Sequence, residues 1–332
     1  MNLERRLELM EMLRKYMLSD EESWQTVKEK ASYENPWFIP EFIEFQLKHI
    51  ANAYLGEDNL RKWVSRYNVP AENKSPKTVG LVMAGNIPLA GFHDFLSAFI
   101  TGQQIVAKPS SKDFQLINGI INQLKTWEPQ LEKTILIAQQ LKGCFAYIAT
   151  GSNNSSRYFD YYFAKYPHII RRNRTSVAIL NGNETLADLT ALSDDVNLYF
   201  GLGCRNVTKI YVPEHYEFLP LLESFKKYNW TFDMHKYKNN YDYQLAIMII
   251  NKLYYMSNGS LLVVENKNLF SPISQLNYEY YGNVGDVESS LIGHKDVQCI
   301  VGHNHVPFGK AQQPALDDYA DKADTLQFLL NL

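Results

Sequence analysis

A chain of 332 residues with 45% hydrophobic and 21% charged residues has the make-up of a globular protein of two domains. Its formal net charge of -3 excludes a general attraction for nucleic acid or acidic membranes. Three cysteines cannot all pair, and their spacing forms no metal motif. The opening Met1-Asn2-Leu3-Glu4-Arg5-Arg6 has no apolar secretory core and no run is long enough to span a bilayer, so a reducing cytoplasm is the expected setting.

Residues 1 to about 66 read as helices, because Leu3, Leu7, Met10, Leu13 and Met17 keep helical spacing, as do Ile43, Leu47, Ile50 and Leu55. A turn at Ala71-Glu72-Asn73-Lys74-Ser75-Pro76 precedes an alternation of strands and helices. Thr78 to Met83, Gln104 to Lys108 and Cys144 to Ala149 are strands, with helices over Gly91 to Ile100, Leu116 to Leu124 and after Ser152. This order implies a parallel sheet covered on both faces, whose ligands bind at the carboxyl ends of the strands. Those ends are Ala84-Gly85-Asn86-Ile87-Pro88, Pro109-Ser110-Ser111 and Thr150-Gly151-Ser152. The second half repeats the style, with strands at Ser176 to Leu180, Thr208 to Val212, Ser260 to Glu265 and Val297 to Val301. A polar turn after Pro307-Phe308-Gly309 leads to a short helix, Asp318 to Leu330.

One cysteine stands apart. Cys204 lies in Phe200-Gly201-Leu202-Gly203-Cys204-Arg205-Asn206, among glycines, beside a cation and ahead of a β-rich run. Thiolates are the nucleophilic form, and a neighbouring positive charge favours them. Cys144 and Cys299 sit in apolar strands and read as packing. The glycines before Cys204 do not make a dinucleotide fingerprint, because the third position is Asn206 and the run leads into a strand, not from a strand into a helix.

Taken in order, these loops resemble the aldehyde dehydrogenase superfamily, and within it the acyl-CoA reductases related to the fatty-acid reductase of bacterial bioluminescence. Met83-Ala84-Gly85-Asn86-Ile87-Pro88 is similar to the family's Asn-x-Pro turn, Ala107-Lys108-Pro109-Ser110 to its Lys-Pro-Ser strand end, and Thr150-Gly151-Ser152 to the turn beneath its cofactor. Cys204 falls where the family keeps its nucleophile. Glu279-Tyr280-Tyr281-Gly282-Asn283-Val284 resembles the Glu-x-Phe-Gly-Pro-Val segment, and Pro307-Phe308-Gly309 the family's late Pro-Phe-Gly turn. The resemblance implies an α/β fold of the aldehyde dehydrogenase type. Residues 1–175 would hold a helical N-terminus and a Rossmann-type cofactor domain, and 176–332 an α/β catalytic domain with a C-terminal tail. It implies catalytic roles for Cys204 and Asn86, the latter as oxyanion donor, and cofactor binding by Lys108, Ser111, Gly151, Ser152 and Glu279. It also implies a homodimer.

Two departures narrow this expectation. The strand entering the catalytic domain carries a Glu general base in hydrolytic family members, whereas here the corresponding residues are Ile179 or Leu180. A Cys204 thioester would then be spared from water, which suits reduction of an acyl-CoA to its aldehyde. Ser111 stands where NAD-preferring members carry a Glu that repels a 2′-phosphate, so NADPH is favoured, with NADH the alternative.

Plainer readings stand beside these. Asn86 is also placed to cap a helix beginning near Pro88, Lys108 to be a solvated strand end, Gly151-Ser152 to be a plain turn and Glu279 to lie in a surface loop. His303 and His305 alternate on an extended segment without a third ligand, so no metal is expected. His93 reads as a satisfied helix histidine. Rival functions are reduction of another activated acyl group, such as an acyl phosphate, and an inactive relative that binds nucleotide or a partner.

Overall fold

The computed structural model describes all 332 residues apart from the side chain of Asn153. The chain forms two compact units, one of Met1–Asn173 with Pro314–Leu332 and one of Arg174–Gln313.

The first unit opens with helices α1 (Leu3–Met17), α2 (Glu22–Glu34), α3 (Pro40–His49) and α4 (Glu57–Arg66). Strands and helices then alternate: β1 (Thr78–Val82), α5 (Phe92–Ile100), β2 (Gln104–Lys108), α6 (Phe114–Trp127), β3 (Ile135–Ile137), β4 (Ala146–Thr150), α7 (Asn153–Phe163) and β5 (His168–Arg171). The strands pair in parallel in the order β3-β2-β1-β4-β5, with Val82 beside Lys108 and Ala149. This is the doubly wound order of nucleotide-binding sheets. The apolar faces of α1, α5 and α6 bury Met10, Leu13, Phe95, Ile117 and Ile120 in one core with Val79 and Ile105. The third predicted strand begins two residues late, so Cys144 precedes β4, buried, with its thiol pushed up by that burial.

The tail belongs to this unit and not to the second half, 176–332, with which the resemblance grouped it. Tyr319 Oη accepts a hydrogen bond from Trp63 Nε1 at 2.8 Å, and Gln103 Nε2 donates to the Leu329 carbonyl at 2.8 Å. Leu326 and Leu329 are fully buried, each burial contributing about 2 kcal/mol. The buried Arg171 pairs with Asp94 and donates to Thr325 Oγ1 at 2.6 Å, tying the ends of β5 and the tail to α5. The tail helix starts later than its pattern implies, at Thr325. Asp321 and Lys322 hold φ values of 61° and 57°, outside helical space, and Asp324 caps the helix by accepting the Gln327 N–H.

The second unit contains β6 (Thr175–Ile179), α8 (Leu186–Asn197), β7 (Val207–Pro213), α9 (Leu219–Ser224), α10 (His235–Ile250), β8 (Met256–Ser257), β9 (Leu262–Glu265), β10 (Gln275–Tyr281), α11 (Val284–Leu291) and β11 (Val297–Val301). The last helix of the chain, α12 (Thr325–Leu330), lies in the tail. The second sheet has the order β11-β6-β7-β10-β9-β8 and is parallel except for β8. Ala178, Leu192, Ile210, Val212, Val263 and Leu276 form its core. Among the described residues no helix is long and apolar enough to cross a membrane.

Candidate active site

In the first unit, the loops after β1, β2 and β4 emerge on one edge of the sheet because those strands run parallel and in register. They hold one another. Gly85 lies so close to the next loop that a Cβ there would come within 2.6 Å of the Ser110 Cβ. Leu89, held at φ 54°, donates its N–H to Asp113 Oδ2 at 2.7 Å. Asp113 is buried, and loss of hydration raises its pKa well above the ordinary carboxyl range. Asn86 is exposed on this braced turn. The N-cap of α5 is Gly91, not Asn86, so the capping explanation for Asn86 does not hold.

Lys108 ends β2, and Ser110 accepts the Lys112 N–H at 3.2 Å to cap the turn that Ser111 begins. Of residues 109–113 the one acid is Asp113, and it faces inward to Leu89. Ser111 thus stands with Lys108 and Lys112 and no exposed carboxylate in its own turn. Gly151 donates its N–H to the Arg171 carbonyl at 3.3 Å, and Ser152 caps α7 by accepting the Ser155 N–H. His93 bonds through Nε2 to the Leu316 carbonyl at 2.8 Å and packs edge-on against Tyr54 and Tyr319, a satisfied helix histidine as its setting implied.

In the second unit, Cys204 is half-buried in the turn at residues 203–206, immediately before β7. The approach to it is strained: Tyr199 and Phe200 both lie at φ 55°, where bulky side chains are rarely found. Asn206, fully buried, keeps the turn in place. Its Nδ2 lies 3.1, 3.2 and 2.8 Å from the carbonyl oxygens of Asp195, Val196 and Leu198, and its Oδ1 accepts the Gly203 N–H at 2.8 Å. Ser176 of β6 donates to the Cys204 carbonyl at 3.2 Å, accepts from the Cys299 N–H at 3.2 Å and stands 3.1 Å from the Cys299 Sγ. Burial pushes the Cys299 thiol up to about 11, against a smaller opposing effect from Arg205. Cys299 is therefore a packed, protonated neighbour of the turn.

Asp195, the residue under this turn, is fully buried. One carboxyl oxygen accepts the Gly309 N–H at 2.6 Å and the other the Ala311 N–H at 2.9 Å, anchoring the Pro307-Phe308-Gly309 segment to α8. Burial outweighs those bonds and pushes its pKa up to about 7. An unfolded Asp titrates near ~4. Between those values the folded chain keeps a proton that the unfolded chain has released, so this group makes stability fall as pH rises from ~4 to ~7 and level off above. Asp195→Asn is expected to flatten that slope by a few kcal/mol. Urea unfolding at about pH 5 and about pH 8 measures it, and an unchanged slope in the variant would reject the assignment.

Ile179 is buried in β6 and Leu180, just after it, is fully buried, its carbonyl accepting from Tyr281 Oη at 2.7 Å. Neither β6 nor the preceding β5 carries a carboxylate. Glu279 is not in a surface loop but in β10, between β7 and β9, where its Oε2 is paired with the fully buried Lys209. Lys209 also donates to the Lys267 carbonyl at 2.8 Å. One carboxylate oxygen of Glu279 is thereby committed inside the unit. His303 and His305 diverge to separate acids, Glu184 at 3.6 Å and Glu288 at 3.0 Å, and among the described residues no three His, Cys, Asp or Glu side chains converge.

Several solved structures share this architecture. The chain is similar to an NADP-dependent glyceraldehyde-3-phosphate dehydrogenase from Bacillus halodurans, complexed with NADP (TM-score 0.67, 12% identity, 91% of this chain and 74% of that one). It is similar also to an aldehyde dehydrogenase from Mycobacterium tuberculosis complexed with NAD+ (TM-score 0.67, 13% identity, 91% and 73%). A third is a cysteine-to-alanine mutant of aldehyde dehydrogenase C from Pseudomonas syringae, complexed with NAD+ and octanal (TM-score 0.65, 11% identity, 91% and 72%). The fold is that of the aldehyde dehydrogenases, a Rossmann-type unit and a second α/β unit. No protein-family model matches the chain, and no curated protein matches it.

Sequence reasoning overlooked Asn206, Asp195, Lys209, Ser176 and Asp113. Lys209 left a trace, as the one charge inside Val207-Thr208-Lys209-Ile210-Tyr211-Val212, a strand otherwise apolar or β-branched. The others act on main-chain groups and leave none.

Proposed function

We propose that this protein is an NAD(P)H-dependent reductase that converts an acyl-CoA, of fatty acyl type, to its aldehyde through a Cys204 thioester. The observation that carries the reading is a thiol held in a braced turn ahead of β7 while β5 and β6 carry no carboxylate to activate water. Cys204, as thiolate, attacks the thioester carbonyl; the new carbon–sulfur bond forms, the bond to CoA breaks, and CoA leaves as its thiolate. The Asn86 side-chain amide and the Cys204 backbone N–H are the donors assigned to the oxyanion.

A bound nicotinamide would supply the hydride that releases the acyl group as aldehyde and restores the thiolate. Lys108, Ser111, Gly151 and Ser152 are the residues assigned to hold the cofactor from the first unit, with the amides opening α7 suited to its phosphates. The turn after β2 fits NADPH, because its only acid is turned inward and the groups around Ser111 are cationic or neutral. Glu279 is assigned to the nicotinamide ribose through the oxygen that Lys209 does not occupy. A long aliphatic substrate accords with the octanal bound by the Pseudomonas syringae protein.

Following NADPH absorbance with acyl-CoAs of graded length tests the reading, and saturable consumption matched by aldehyde is the expected result. Asn86→Ala should lower the rate roughly 100-fold or more, equivalent to ~3 kcal/mol of barrier. Turnover of an acyl phosphate but not of acyl-CoA would replace the substrate class. Cofactor binding without turnover of either would point to a binding protein.

A further inference from the structure

Arg6, on α1, is only 1% exposed, yet its Nε and Nη2 have no hydrogen-bond partner. In a guanidinium those two N–H groups form one edge, parallel and spaced to match two oxygens of a carboxylate or phosphate. Burial lowers its pKa to about 10, so the group remains a cation at neutral pH. A buried cation with an empty bidentate edge is rare, because nothing replaces the water it has lost.

Arg6 lines a cavity of about 140 Å³ together with Asn73, Gln103, Gln104, Gln130 and Thr134, and no carboxylate lines it. The nearest acid in sequence to Gln130, Glu128, already accepts from Arg5 Nε at 2.9 Å and from Gln130 Nε2 at 2.6 Å. Gly102, after α5 and at φ 69°, makes the arrangement possible, since a Cβ there would land on the Arg6 Nη1. Gln104 and Ile135, both in the lining, are the first residues of β2 and β3. The cavity therefore lies at the amino edge of the sheet, opposite the loops that follow β1, β2 and β4.

We infer that this cavity is a binding site for a small oxyanion, a phosphate or carboxylate group held by the Arg6 guanidinium among amide, hydroxyl and apolar side chains. It is separate from the loops assigned to the nicotinamide cofactor and does not depend on that assignment. The competing explanation is structural, Arg6 serving only as a cation near the C-terminal end of α5.

Thermal unfolding of the full chain, titrated with inorganic phosphate or with acetate against chloride at equal ionic strength, separates the two. A saturable rise in Tm with an oxyanion and none with chloride is expected, as for any ligand that binds only the folded state. A response to phosphate alone identifies a phosphate-bearing ligand, and a response to acetate alone a carboxylate. Arg6→Met should lose the response while unfolding no earlier than wild type in chloride, because it removes an unpaired buried charge. Should that variant not fold, Arg6→Lys takes its place, and calorimetric titration with phosphate and with acetate compares it with wild type. Absence of saturable binding of either oxyanion, or an equal response in Arg6→Met, overturns the proposal.

Discussion

Replacing Cys204 by alanine is expected to abolish acyl transfer, with aldehyde formation falling roughly 10⁴-fold or more, the scale seen when a covalent nucleophile is removed. The loss should be chemical and not a loss of folding. Cys204 is half-buried, and the bonds that hold its turn run from Asn206 and Ser176 to main-chain atoms that alanine keeps. Removing one thiol from such a position should change stability by under ~1 kcal/mol. Intact mass after incubation with acyl-CoA in the absence of cofactor gives the sharpest readout. Wild type should carry one acyl group, Cys204→Ala none, and Cys299→Ala should still be acylated, because loss of hydration pushes the half-buried Cys299 thiol up to about 11. The acyl group should also persist, since β5 and β6 offer no carboxylate to deprotonate water. Labelling at Cys299 in place of Cys204, or rapid hydrolysis of the adduct, would sink the assignment.

How much of this was visible beforehand depended on the kind of interaction involved. The strands β1, β2, β4, β6, β7, β9 and β11 declared themselves because a parallel strand covered on both faces reads as an apolar run. β10 did not. It interleaves Gln275 and Asn277 with tyrosines, and it can be central only because Asn277 Nδ2 donates to the Asn268 and Phe270 carbonyls at 2.9 and 3.1 Å and its Oδ1 accepts from Gln275. No periodicity reveals such local compensation. β3, β5 and β8, of three, four and two residues, are too short to show a pattern. The tail was misplaced for a related reason: Leu326 and Leu329 announce burial but not which core will bury them. In the candidate site, a thiol after Gly-x-Gly could be singled out, whereas its supports could not. Asp195, Asn206 and Asp113 bond to backbone N–H and carbonyl groups, which every residue possesses, so the sequence around their partners carries no mark.

Asn206 is where the second large effect is expected. Helix α8 ends at Asn197, leaving its last carbonyl groups without helical donors. The Asn206 side chain reaches back from the far side of the Cys204 turn and supplies the carbonyls of Asp195, Val196 and Leu198 with its two N–H hydrogens, while accepting from Gly203. The intervening Tyr199 and Phe200 stay at positive φ against their own preference, so this one amide holds a strained segment shut. Asn206→Ala should destabilise the chain by roughly 3–5 kcal/mol, the sum of several buried polar groups left unpaired. Asn206→Asp is the discriminating variant: nearly the same shape, but with a carboxylate facing carbonyl oxygens, it should be less stable than the alanine variant. Urea unfolding ranks the three proteins, and the rate of Cys204 alkylation by iodoacetamide under native conditions reports whether the turn has opened. An aspartate variant as stable as wild type would mean that the donor role is wrong. The expected order instead ties the position of Cys204 to the capping of α8, so that the residue holding the helix end also places the thiol.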